Sequence, residues 1–578
     1  MTPSRRSIDP ITVEIIRNGL LAVTEEMKSN LMRTAYNLII YEALDFTVGL
    51  FTATGETISI GLGLPMFIRG MSETVKAKIA RFGDDIHPGD ILVTNDAYVT
   101  GSHLNHFTFS LPVFHQERLV AFACCMAHWV DVGGVAGGAT TDIYSEGIQI
   151  PIMKYRKAGV VNQDLVDIIA MNVRIPERAM GDLRAQITAL VSGERRLLEL
   201  LDRYGCDAVL QSVTVLADQA EAAARAGTRS IPDGVYEAES FMDDDGIEVD
   251  KRVPIRVRVE KRGDEMTIDL TDVSRQVSGF YNSGITTGIG CAQVAYKCLT
   301  TPTLYPISDG AFRSLKVIMP PGRVISAQRP APMRWWMSYP MTVIDTIFKA
   351  LAPAIPDRTI AAHHADLVVA TLYGVGLDGR FFIGSVGPVG GGWGAKSRAD
   401  GVSVTVCIND GDTHNGPTEQ LEAKYPLLVE RYALRPDSGG AGRHRGGLGA
   451  ELVATALSSF SVSAYTERRH CPPWGLAGGQ AGAGNRVDLR VGGEWREGSN
   501  AKVLAKRLVA GDAFRIRSGG GGGFGDPRER QIELVARDVA EGYITREAAE
   551  RDYGVCFDSQ GSVDLEKTRQ RRSRPLTT

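Results

Sequence analysis

The chain lacks the features that would place it in several large functional classes. Its 578 residues contain no uninterrupted apolar run approaching the ~20 residues a membrane span requires. Charge of neither sign dominates: 64 Lys+Arg stand against 68 Asp+Glu, a formal net charge of −4. That balance gives no electrostatic case for nucleic acid or an anionic membrane surface. The start, MTPSRRSIDP, has two arginines but no apolar stretch behind them, so it does not read as a secretory signal. The eight cysteines are scattered with no CxxC pair, and Cys124–Cys125 would point to opposite faces of a strand. Reduced thiols and a cytoplasmic location are expected. There is no GxSxG elbow and no HExxH. The Gly-rich stretch nearest to a phosphate loop, Gly390 to Ser397, has Ala395 between Gly394 and Lys396 and so fails GxxxxGK[ST].

What is present is an ordinary globular balance, 43% hydrophobic and 23% charged, with an unusual 64 glycines, many of them clustered. The length suits about two to four domains. Asp9 as N-cap and Pro10 at the first position open a long helix, with Ile11, Ile15, Leu20, Val23, Met27, Leu31 and Leu38 at helical spacing. Asp45 to Ile60 reads as a hairpin turning at Ala53–Glu56, followed by a helix over Met71–Phe82 and a buried strand over Ile91–Val93. Residues 161–203 are largely helical, extended by VLADQAEAAARAG. The composition changes at Ser230–Gly234, and Tyr236–Thr271 alternates like strands. Three domains are expected: 1–229, a mainly β unit over 230–345, and 346–578, within a mixed α/β, multi-layer fold. A helix is expected from about Met341 to Ala352, and another opening at Asp526–Pro527. The basic Gly-rich loop Ser438–Gly447 reads as mobile, structural turns or close backbone packing account for most of the glycine-rich loops, and a large glycine-rich surface suited to assembly is expected.

Four of the ten histidines fall within Thr94–Asp131: His103, His106, His115 and His128. Two apolar runs, Phe107–Phe114 and Leu119–Ala127, flank the turn His115–Arg118 and read as antiparallel neighbours. Such a hairpin brings His103 and His106, before its first strand, to the same end as His128, after its second. Asp131 and Asp96 lie nearby in sequence. Two readings fit: a metal site, because imidazole backed by carboxylate suits Zn, Mn, Fe or Ni, or ordinary loop histidines. The cluster Arg334–Trp335–Trp336–Met337 fits either core or subunit-interface packing, or a substrate pocket. His363–His364 precede an apolar strand, Leu367–Tyr373, and read as a strand-edge pair.

Six stretches in order carry a family resemblance: DPITVEIIRNGL, GDILVTNDAYVTGSHL, AHWVDVGG with IYSEGIQIP, RYALRPDSGGAGRHRGGLG, and SGGGGGFGDPRERQIELVARDVAEGYITREAA. They span nearly the whole chain, which resembles the hydantoinase B/oxoprolinase family: B-type subunits of ATP-dependent N-methylhydantoinases, 5-oxoprolinases and related ketone carboxylases. The resemblance implies a divalent metal at His103, His106 and His128. The family's usual aspartate is His106 here, and its usual His-His pair is His128–Trp129. Losing one carboxylate favours Zn, with Mn or Fe as alternatives. It further implies an A-type partner that binds ATP and Mg and activates a cyclic amide such as a hydantoin or 5-oxoproline, which agrees with the missing nucleotide motif. Asp131, Asp96 and Glu146 are then candidate bases or orienters, Asp131 as the orienter of a histidine. Arg334, Trp335 and Trp336 are candidate substrate contacts. The alternatives are a ketone carboxylase subunit and a non-catalytic scaffold in a hetero-oligomer.

Overall fold

The computed structural model describes residues 8–301, 307–408, 410–498 and 500–573; residues 1–7, which include most of the supposed non-signal start, lie outside them. Its architecture is mixed α/β in several layers, with four sheets among the described residues.

The first sheet carries the histidines. Its strands are β1 (Phe46–Thr52), β2 (Thr57–Leu62), β3 (Ile91–Thr94), β4 (His106–His115), β5 (Arg118–His128), β6 (Met153–Lys157) and β7 (Val160–Val161). The order is β2-β1-β5-β4-β3-β6-β7, and every described pairing in it is antiparallel. Both faces are covered, which explains why β5 reads as an unbroken apolar run rather than an alternating one. Phe122, Cys124 and Met126 enter one core and Ala123, Cys125 and Ala127 the other. The adjacent cysteines do face opposite ways, and both are free and buried.

The opening helix spans Pro10–Thr34, with the Asp9 carboxylate accepting from Thr12 N. Its buried stripe is Val13, Ile16, Leu20, Val23, Met27 and Leu31, while Ile11 and Ile15 face outward. Spacings of three and four starting at Val13 satisfy one face; starting at Ile11 they do not. Leu38 belongs to a separate short helix, Leu38–Tyr41. The helix Pro176–Tyr204 packs beside the first one in the same core.

Helix Cys206–Arg229 ends one residue before the composition change, and the second sheet begins at Gly234. Its strands Gly234–Met242, Val253–Arg262 and Glu265–Asp269 are antiparallel, with Leu315–Ile318 added in parallel. Helix Ser338–Leu351 packs on this sheet and runs across the expected 345/346 boundary, so the chain does not divide within that helix. Two further sheets, a four-stranded one holding Ala370–Val375 and Phe460–Tyr465 and a five-stranded one holding Ala450–Ala456 and Ala513–Arg517, share one apolar core. Pro527–Glu529 is a single 3-10 turn; the helix after it starts at Ile532.

The glycine clusters pack backbone to backbone, as one reading of the sequence has it, and Ser438–Gly447 is held in that packing. Gly390–Gly392, Gly439–Gly447 and Gly519–Gly523 lie against one another, mostly buried, with cross-links such as Gly392 N to Gly519 O at 2.9 Å and Gly521 N to Gly447 O at 3.0 Å. Gly521 shows why glycine is required: a Cβ there would stand 2.0 Å from Trp393 O. Backbone packs against backbone at a spacing no side chain permits.

Candidate active site

The β4–β5 hairpin closes as the sequence suggests, and tighter. His106 and His128 are direct partners in the ladder, the first residue of β4 facing the last of β5. His103 approaches from the loop before β4. That loop turns sharply at Gly101, whose φ is +88° and whose Cβ would lie 1.9 Å from Thr286 Oγ1. The three rings converge, with centroids 4.4 Å (His103–His106), 4.9 Å (His103–His128) and 5.4 Å (His106–His128) apart. His115 is at the opposite end of the hairpin, paired with Asp202. Trp129 turns away from the site into the helix-covered core, stacked 3.9 Å from Phe107 and donating to Gln186. An imidazole at 129 would therefore sit on the wrong face.

Hydrogen bonding sorts the ring nitrogens. His103 Nδ1 lies 3.2 Å from Arg334 O; a carbonyl only accepts, so Nδ1 carries the proton and the Nε2 lone pair is free. That Nε2 is buried without a partner, as is His128 Nδ1. Burial, then the neighbouring imidazoles, hold His103 well below the usual range, and burial pushes His128 down to about 4. Both rings are neutral at pH 7, the form that binds metal. His106 sits between Ser102 Oγ at 2.9 Å and Asp45 Oδ1 at 3.0 Å. Burial opposes ionisation of Asp45, but the charge and hydrogen bond of His106 outweigh it and leave Asp45 below the ordinary carboxylate range.

Asp45 is the carboxylate that sequence spacing did not find. It lies 61 residues before His106 and arrives because β1 pairs with β5, setting Phe46 opposite Ala127. The donor set thus comprises three imidazoles and one carboxylate, two of its ring nitrogens being orphaned. This chemistry fits a divalent cation. Among the described residues, no three His, Cys, Asp or Glu side chains already stand as a ready-made metal site. The Asp45–His106 bond occupies one of the nitrogens such an ion would need.

The other expected carboxylates are placed differently. Asp131 does not orient a histidine: it accepts from Arg174 Nη1 at 2.6 Å, from the Arg174 backbone N–H and from Gly133 N, tying its loop to the helical layer. Asp96 caps the short helix Ala97–Thr100 and pairs with Arg329 at 2.9 Å. Glu146 is buried and accepts from Thr140 Oγ1 at 2.7 Å, Met333 N at 3.0 Å and Arg334 N at 2.9 Å. Burial pushes its carboxyl up to about 7 in spite of those donors. Arg334, whose backbone N–H donates to Glu146 and whose carbonyl meets His103, links Glu146 to the site.

Arg334, Trp335 and Trp336 do line a cavity with His103, His128 and Asp45, enclosing about 1020 Å³ including the space at its open mouth. Trp336 is buried, stacked on Phe67 at 5.6 Å and edge-on to His106 at 5.8 Å. The Arg334 guanidinium is taken up by Val135 O and Ala136 O, at 2.8 Å each. The far wall contributes Asp410, which nothing in the sequence marked. Its Oδ2 accepts from Cys407 Sγ at 2.6 Å and its Oδ1 is buried without a partner. Burial, with Asp45's charge adding to it, pushes Asp410 up to about 7. His363 and His364 are buried rather than at a strand edge; His363 is bonded to Asp345 at 2.7 Å and neither lines the cavity. Among the described residues no helix is long and apolar enough to cross a membrane.

The chain is similar over nearly its whole length to known proteins. Residues 9–527 match the family Hydantoinase B/oxoprolinase. The chain is 32% identical to the beta chain of the caprolactamase of Pseudomonas jessenii over 586 residues, 98% of this chain and 99% of that one. It is 30% identical to the B component of a putative D-/L-hydantoinase of Pseudomonas sp. (strain NS671), over 98% of each. The crystal structure of the ATP-dependent caprolactamase from Pseudomonas jessenii matches with a TM-score of 0.90 at 30% identity, covering 98% of this chain and 100% of that chain. Nucleotide-free acetone carboxylase also matches with a TM-score of 0.90, at 19% identity, over 98% of this chain and 83% of that one, a likeness of fold alone. The chain belongs to the hydantoinase B/oxoprolinase family.

Proposed function

We propose that this chain is the B-type component of an ATP-dependent cyclic amide hydrolase, opening a lactam or hydantoin ring that an ATP-binding A-type partner has activated. The observation that carries the reading is the convergence of three imidazoles and Asp45, of which His103, His128 and Asp45 line a largely apolar cavity. The names of the relatives, a caprolactamase beta chain and a hydantoinase B component, support both the substrate class and the need for a partner.

His103, His106 and His128 would hold a divalent ion, zinc by preference, with Asp45 supplying the carboxylate. An ion held by those residues would supply Lewis acidity, for an amide carbonyl or for water. The chain's own residues do the rest. Trp335 and Trp336 form the surface against which the ring lies. Asp410, held protonated up to about pH 7 by burial, is placed on the cavity wall to give a proton to the leaving ring nitrogen. Glu146 keeps the Met333–Arg334 backbone, and with it the His103 tautomer, in place.

The test is purification of the chain with its A-type partner and assay of ring opening with and without ATP. ATP-dependent opening, lost in His103→Ala and His128→Ala, is the expected result. Ring opening by the lone chain at a rate indifferent to ATP would overturn the reading. ATP-dependent incorporation of bicarbonate into a ketone would assign the site to carboxylation instead.

A further inference from the structure

The cavity has an unusual charge inventory. Its only ionisable side chains besides the two histidines are Asp45, Asp410, Arg334 and Tyr465, among the described residues that line it. Arg334 is the one side-chain cation among them besides the histidines, and its guanidinium is turned to the protein: Nη1 and Nη2 donate to Val135 O and Ala136 O, and its carbon lies 5.9 Å from the centre of the Tyr465 ring. No lysine lines the space among the described residues. The apolar part of the lining includes Leu64, Trp336, Met337, Leu367, Val369 and Ile383, with small residues between them. Phe67 stacks on Trp336 from behind and holds that wall rigid.

We propose that this cavity selects electrically neutral cyclic amides with an apolar ring or substituent and rejects those bearing a carboxylate, 5-oxoproline in particular. The proposal rests on the ring-opening reading above and narrows its substrate. A ring amide whose carbonyl faces the histidines must lay the rest of its ring along the apolar walls. A methylene chain or an aromatic substituent gains from that contact, since it leaves water for an apolar surface. A carboxylate on the same ring would leave water for those apolar walls, where the one side-chain cation among the described lining residues, Arg334, is already bonded to the Val135 and Ala136 carbonyls, and it would add a like charge to a space that holds the Asp45 carboxylate. An unpaired buried charge is the costliest group a pocket can accept. Discrimination by a missing charge partner is far sharper than discrimination by one methylene.

The proposal is tested on the chain in complex with its A-type partner, by two independent measurements. Binding is read from tryptophan fluorescence, since Trp335 and Trp336 line the cavity, titrating ε-caprolactam, 5-phenylhydantoin and 5-oxoproline. Turnover of the same three compounds is read with ATP. Half-saturation by the two neutral compounds at concentrations roughly 100-fold or more below that for 5-oxoproline is expected, with kcat/KM following the same order. Thr371→Lys, which places a cation on the lining, is expected to narrow that ratio at least tenfold while its thermal unfolding stays cooperative. Binding of 5-oxoproline as tight as that of the neutral lactams overturns the proposal, and so does a ratio that Thr371→Lys leaves unmoved in a folded variant. Neutral preference in binding without turnover of any of the three supports the selectivity and overturns the ring-opening reading, so the two failures are separable.

Discussion

His106 and His128 face each other across the last rung of the β4–β5 ladder, their ring centroids 5.4 Å apart, and His106 reaches Asp45, the residue just before β1, at 3.0 Å. Opposed residues in a two-strand ladder cannot drift apart without breaking the sheet, so this pair is held by the sheet itself. The site is rigid on its strand side and depends on the loops for His103.

Metal content follows from that arrangement. Elemental analysis of the wild type is expected to find about one divalent ion per chain, and none in His103→Ala or His128→Ala. Asp45→Asn is expected to weaken metal affinity about 10–100-fold, the usual cost of losing the carboxylate behind a liganding histidine. Metal-free wild type, or metal retained in both alanine variants, would return these histidines to the role of loop residues.

Asp410 should matter to rate more than to binding. Asp410→Asn keeps an acceptor for Cys407 and loses the proton. In the partnered enzyme kcat is expected to fall about 10²–10⁴-fold, with KM little changed. The decline of wild-type activity as pH rises through about 7, where Asp410 loses its proton, should be missing from the variant's profile. An unchanged pH profile in Asp410→Asn would remove it from the chemistry.

Glu146 gives a stability signature with a definite sign. Its carboxyl is raised from 4.5 to about 7, so the folded state holds the proton more tightly than the unfolded one. The stabilisation this brings is fully present below about pH 4.5 and is lost as pH rises to about 7, amounting to on the order of 3 kcal/mol across that window. Glu146→Gln cannot titrate. Thermal unfolding at pH 5 and pH 8 should show wild type losing stability relative to the variant at the higher pH. A gap between the two that does not change with pH would mean that Glu146 is ionised throughout.

Two glycines offer a matched pair. Gly521→Ala drives a Cβ to 2.0 Å from Trp393 O, whereas Gly416→Ala meets nothing nearer than 3.5 Å. The first is expected to cost upward of about 1–3 kcal/mol, because two backbones must separate. The second should stay within about 0.5 kcal/mol. Equal melting temperatures would show that the glycine layer tolerates side chains.

Local chemistry was legible in the sequence. Asp9–Pro10 announced a helix start because a capping carboxylate and a proline without an N–H act within a few residues. Phe107–Phe114 and Leu119–Ala127 announced a hairpin because a short polar turn leaves adjacent strands little choice of partner. Those two signals suffice to bring His103, His106 and His128 together, and the family motifs run along the same stretch. What the sequence did not reveal depends on partners distant in the chain. Asp45 reaches His106 only because β1 chose β5, Asp410 meets the cavity from a loop of the far sheets, and Asp131 is claimed by Arg174 from the helical layer. The glycine clusters suggest turns or close backbone packing one at a time; only the tertiary structure shows that they pack against one another, where backbone replaces side chain. Proximity in sequence decides hairpins and caps, whereas strand order and layer packing, set by burial of the whole apolar surface, decide which carboxylate attends which histidine.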